Sequence, residues 1–144
     1  MGRRLNLGCL LVILMNLLSW NCRGLGLFWT VQELVALVGA NSPRLVFLYE
    51  TRMLGVRAEN LRWRLGLKHV VAVDSTGIGG GLALYWHELV DVHLIEKHRR
   101  FIDVYVRESS SSPRFRITFV YGETQNGRHT FYVGVDAKAA WGVG

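Results

Sequence analysis

Two stretches decide the reading of this chain: Leu18-Ser19-Trp20-Asn21-Cys22-Arg23-Gly24-Leu25-Gly26 and Leu48-Tyr49-Glu50-Thr51. Each is an apolar run that stops at a polar side chain, Asn21 in the first and Glu50 in the second. A buried strand has this pattern when its C-terminal end delivers one polar group into a cleft. Placed side by side, an Asn and a Glu make an oxygen-rich corner suited to a hard cation such as Mg²⁺.

Working outward, Leu17 to Trp20 reads as a short buried strand, broken by Gly24 and Gly26. Thr30-Val31-Gln32-Glu33 has the form of a capping box, with Thr30 as N-cap. An apolar face of Leu34, Val35, Leu37 and Val38 follows, and Gly39 is the expected helix stop. Asn41-Ser42-Pro43 reads as a turn, and Leu45 to Tyr49 is a continuous apolar run of strand length. Arg57 to Leu65 suits a second helix ending at Gly66. Val70 to Val73 and Leu82 to Trp86 read as strands around a glycine-rich turn from Thr76 to Gly81. Residues 90–94 and 102–107 alternate apolar and polar, as half-exposed antiparallel strands do. Ser109 to Pro113 is a polar hairpin loop, and Phe115 to Tyr121 is a further strand. The order of elements predicts an α/β (α+β) layered domain with a mixed sheet.

Composition bounds the function. At 144 residues the length prior gives one domain. Half of the residues are hydrophobic and 19% are charged, which argues against disorder. A net charge of +6 favours an anionic partner such as nucleic acid or an acidic membrane surface. Cys9 and Cys22 form no CxxC pair and no finger spacing, so a reducing, intracellular compartment is the default. The start, Met1-Gly2-Arg3-Arg4 and then Leu5 to Leu18, imitates a signal peptide. It lacks a small-x-small cleavage site and is interrupted by Asn6 and Asn16, which weighs against a membrane partner. The competing reading takes Met15 as the natural start and residues 1–14 as an apolar extension.

Three blocks, in order, resemble the endonuclease/exonuclease/phosphatase family. They are Ser19-Trp20-Asn21-Cys22-Arg23-Gly24-Leu25-Gly26, Val73-Asp74 with Gly80-Gly81-Leu82-Ala83-Leu84-Tyr85-Trp86, and Phe119-Val120-Tyr121-Gly122-Glu123. Within the family the chain is most similar to the endonuclease domains of plant non-LTR (LINE-type) retrotransposons. The resemblance runs from about Met15 to about Phe131, with a divergent tail over 132–144. It implies the N-terminal half of a four-layer αββα sandwich, truncated before its second half. It also implies a DNA partner, nuclear residence and a catalytic Mg²⁺ or Mn²⁺, with no small-molecule cofactor.

The resemblance carries roles residue by residue. Glu50 becomes the metal ligand; its plainer use is a strand-end ion pair with Arg52. Asn21 holds that carboxylate or touches a phosphate oxygen; its plainer use is a turn before Gly24. Tyr121 reaches the scissile phosphate with its hydroxyl, or is a strand-end aromatic. Gly80 and Gly81 offer backbone N–H groups to substrate, or make a tight turn. At this loop the family's Arg-Ser-Gly-Gly is replaced by Ile78-Gly79-Gly80-Gly81. Lys97-His98-Arg99-Arg100, the densest basic run, reads first as an exposed hairpin turn. No Gly-Asp-x-Asn and no Ser-Asp-His segment occurs in the 144 residues. Those segments would supply the acid–base partners, so the expectation is a catalytically inactive derivative. The alternatives are a non-catalytic basic nucleic-acid-binding remnant and an unstable fragment without function.

Overall fold

The computed structural model describes residues 10–12, 16–76, 80–123 and 129–136. Residues 1–9, 13–15, 124–128 and 137–144, which include most of the expected apolar extension and divergent tail, lie outside the described residues, as does half of the glycine-rich turn, 77–79. The chain divides into two compact units, Met1–Glu88 and Leu89–Gly144.

The first unit is a five-stranded mixed sheet with three helices. Its strands are β1 (Leu10–Val12), β2 (Leu17–Asn21), β3 (Leu45–Tyr49), β4 (His69–Val73) and β5 (Leu82–Trp86), in the order β1-β2-β3-β5-β4. Only β2 and β3 pair in parallel; the other pairs are antiparallel. A parallel pair needs a crossover, and α1 (Phe28–Asn41) supplies it. The central strand β3 is buried at all five positions, as its unbroken apolar run requires. Leu18, Trp20, Val46, Leu48, Ala83 and Tyr85 share one face and form the core with Leu34 and Val38 of α1. The Tyr85 hydroxyl, buried in that core, donates to the Ala58 carbonyl.

Both helices differ from the sequence reading in their boundaries. Helix α1 begins at Phe28, with Leu27 as an extended N-cap (φ −91°, ψ 135°) and no side-chain cap, so Thr30 lies inside the helix. Tertiary pairing sets this entry: Gly24 N–H donates to the Glu50 carbonyl at 2.8 Å and Leu25 N–H to that of Thr51 at 2.9 Å. The chain is therefore held to β3 until just before the helix. At the other end Gly39 does not stop the helix, which runs to Asn41 and closes on Ser42 in the left-handed region (φ 46°). Asn16 stabilises that end, its Nδ2 donating to the carbonyls of Asn41 (3.0 Å) and Ser42 (2.9 Å). The second predicted helix is two short ones, α2 (Gly55–Asn60) and α3 (Arg62–Leu65), joined at Leu61 and closed by Gly66 at φ 69°. It starts early because Asp74 accepts the Gly55 N–H at 2.5 Å.

The second unit is an antiparallel meander of β6 (Asp91–His98), β7 (Phe101–Arg107), β8 (Phe115–Glu123) and β9 (His129–Asp136) in sequential order. Register breaks between Leu94 and Glu96, a bulge in β6. Ile102, Val104, Val106, Ile117 and Phe119 form the buried face. On the opposite face Asp103 is buried, accepting from Arg116 Nη2 at 2.6 Å and Thr118 Oγ1 at 3.0 Å. A buried carboxylate needs such partners. One helix-flanked mixed sheet and one antiparallel sheet make the chain a layered α+β protein, as expected.

Candidate functional site

Because β2 and β3 run in parallel with Asn21 opposite Tyr49, their C-terminal ends coincide. The pairing continues one step further, Cys22 N–H donating to the Tyr49 carbonyl at 2.9 Å. This geometry brings Asn21 and Glu50 together: Asn21 Nδ2 donates to Glu50 Oε2 at 2.7 Å. The other amide atom, Asn21 Oδ1, accepts the Arg23 N–H at 3.0 Å. That bond fixes the amide so that its NH₂ faces the carboxylate. The turn and the carboxylate-holding uses of Asn21 therefore coexist.

Glu50 is nearly buried, its side chain 12% exposed, and Arg52 Nη2 donates to its Oε1 at 3.3 Å. The Arg52 side chain is 47% exposed, so this pair is weak and salt-sensitive. Arg52 Nη1 reaches the Arg23 carbonyl at 3.4 Å.

The backbone around the carboxylate is unusual. Glu50 (φ 56°), Arg52 (φ 54°) and Arg23 (φ 49°) all adopt the left-handed region without being glycine. Such conformations cost free energy and persist only where the surroundings impose them. Here the constraint is a clamp on the 50–52 loop. Residues 22–25 hold it on one side through the bonds already described. On the other side Thr51 N–H donates to the Gly81 carbonyl at 3.2 Å and Arg52 N–H to that of Gly80 at 2.9 Å. Gly81, at φ +94°, has no room for a side chain: a Cβ there would collide with Thr51 Oγ1. Thr51 is fully buried and its hydroxyl has no hydrogen-bond partner among the described residues. At Gly80 and Gly81 the groups engaged are thus carbonyls, which grip the Glu50 loop.

Cys22 is buried beside this corner. Burial, and secondarily the Glu50 charge, push its thiol well above the usual range, so it behaves as a small apolar group.

Tyr121 lies in the second unit, on β8, where its side chain is buried and its N–H donates to the Arg100 carbonyl at 2.8 Å. Lys97 to Arg100 are exposed at the β6–β7 turn, as a hairpin reading requires. The His98 ring stacks on Phe101 with centroids 5.2 Å apart.

The donor set at the corner can be tested against a divalent cation. Among the described residues no three His, Cys, Asp or Glu side chains converge, so an all-protein cage does not fit. A single carboxylate with free lone pairs does fit Mg²⁺ held mainly by water and phosphate oxygens. The Asn21 amide is positioned to orient that carboxylate, since its oxygen is already used by Arg23.

Sequence reasoning missed Thr51 and the clamp. The only signal was the polar run Glu50-Thr51-Arg52 directly after a fully apolar strand, with Gly80-Gly81 preceding the next strand.

No helix among the described residues is long and apolar enough to cross a membrane, which says nothing of a β-barrel. No family model matches the chain, and no curated protein matches it. Among solved structures it is similar to the AP endonuclease LMAP from Leishmania major, with 17% identity and a TM-score of 0.49. The match takes in 68% of this chain and 37% of that one, so this chain spans well under half the length of its structural neighbour. A likeness of this degree assigns no activity to this chain.

Proposed function

We propose that this chain is a nucleic-acid-directed domain descended from an Mg²⁺-dependent endonuclease of the endonuclease/exonuclease/phosphatase family, of LINE-type retrotransposon origin, and that these 144 residues do not themselves hydrolyse phosphodiesters. The observation that carries the reading is the 2.7 Å bond from Asn21 to Glu50 at the coincident ends of two parallel strands.

Glu50 would hold the cation, and Asn21 would keep its carboxylate in one orientation. A bound Mg²⁺ or Mn²⁺ supplies charge stabilisation to a phosphate oxygen. Arg23 and Arg52, exposed beside the corner, would attract the phosphate itself. Tyr121 retains its proposed role as a phosphate contact, and Gly80 and Gly81 act through the loop they hold. Hydrolysis further demands a positioned nucleophile and a proton acceptor. The Gly-Asp-x-Asn and Ser-Asp-His segments that would supply them do not occur in the 144 residues. The proposed working segment is 15–131, flanked by an extension over 1–14 and a tail over 132–144, and the lineage implies work in the nucleus.

The test is nicking of supercoiled plasmid by the 144-residue chain in Mg²⁺, with Glu50→Ala alongside. The expected result is no nicking above background by either protein. Robust nicking that disappears with Glu50→Ala would overturn the proposed inactivity.

A further inference from the structure

Beside the carboxylate corner, within the first unit, lies a groove of about 290 Å³. Its floor is apolar, made by Leu25, Val31, Met53 and Leu61, and its rim carries Phe28, Arg57 and Arg64. Among the described residues no acidic side chain lines it. Arg57 and Arg64 are exposed, and neither takes part in an ion pair among the described residues. Phe28 is 60% exposed and Trp29 70%, and their rings meet edge to face at 6.2 Å. Exposed aromatic rings and unpaired guanidinium groups around an apolar floor have no structural task here.

We propose that this groove binds single-stranded nucleic acid, seating one unpaired nucleotide with its base against Phe28 and the apolar floor and its flanking phosphates on Arg57 and Arg64. The chemistry of the rim selects this occupant. A base has an apolar face that stacks on an aromatic ring, and successive phosphates reward cations along the groove. Guanidinium groups match phosphate in a bidentate fashion. The size agrees: the volume is just below the ~300–1,000 Å³ of pockets that enclose whole ligands, so it suits one unit of a polymer. An acidic amphipathic helix would need a longer furrow taking anchors over two turns. The groove needs no metal, so it stands apart from the carboxylate corner.

The test is fluorescence polarisation of a labelled 12-mer of deoxythymidine in EDTA, across a salt series. The wild-type chain is expected to bind, with affinity falling as salt rises. Arg64→Ala and Arg57→Ala should each weaken binding several-fold and lower the log–log salt slope by roughly 0.7 for each phosphate no longer neutralised. Phe28→Leu keeps an apolar side chain but removes the stacking face, and should weaken binding at least fivefold with the salt slope unchanged. Cooperative melts of each variant establish that these exposed positions leave the fold intact. Arg99→Ala, an exposed cation in the second unit, should have no effect. Equal losses from Arg99→Ala and Arg64→Ala, or no loss from Phe28→Leu, would overturn the proposal. So would equally tight binding of an acidic peptide.

Discussion

Cys22 shows how one residue reports its surroundings. It follows Asn21 in a motif dense with polar and glycine residues, and only the fold reveals that it is sealed in the core. Because its folded-state thiol is raised above the unfolded value, the folded chain keeps a proton that the unfolded chain gives up. The stability it contributes is full below the unfolded thiol value of about 8.5 and declines as pH rises above it. Tyr85, raised by burial, then by Cys22 and Glu59, adds a further decline that starts near the ordinary phenol value of about 10. Urea unfolding from pH 7.5 to 9.5 should therefore show falling stability in the wild type and a flatter profile in Cys22→Ala. The Asn21–Glu50 contact was legible because both residues end apolar runs. Their left-handed neighbours were not, since a non-glycine at positive φ is imposed by tertiary hydrogen bonds that no local pattern encodes.

At the scale of elements, the sequence was most readable where burial is continuous. β3 and β5 fall on the residues that their apolar runs mark, Leu45–Tyr49 and Leu82–Trp86. Helix α1 was readable in kind but not in its ends, because its entry is set by pairing to the Glu50 loop and its exit by Asn16, a residue 25 positions before Asn41. The same long-range dependence makes the link between β5 and the Glu50 loop fragile. In Gly81→Ala the new methyl group meets Thr51, and an L side chain is forced to φ +94°. Strained backbone of this kind costs roughly 1–3 kcal/mol before any steric term. Chemical denaturation should show a loss of at least that size, whereas Gly26→Ala, where a Cβ meets nothing, should be nearly silent.

For the molecule as a whole, the layered α+β class follows from the order of elements, and the positive charge of +6 is spread over both units. The division at Glu88 was not legible, since no glycine or proline marks it and Leu89-Val90 continues the apolar pattern. The polar cluster of Asp103, Arg116 and Thr118 was equally hidden, because it joins residues on two strands that alternate normally. The central claim is that a single oriented carboxylate at the shared ends of β2 and β3 holds a divalent cation. Titration of Mn²⁺ into the full chain, followed by electron paramagnetic resonance, tests it most directly. One site is predicted in the wild type, lost in Glu50→Gln and weakened ~10–100-fold in Asn21→Ala, as for groups that orient a metal ligand. Mn²⁺ binding unchanged by Glu50→Gln would contradict the account.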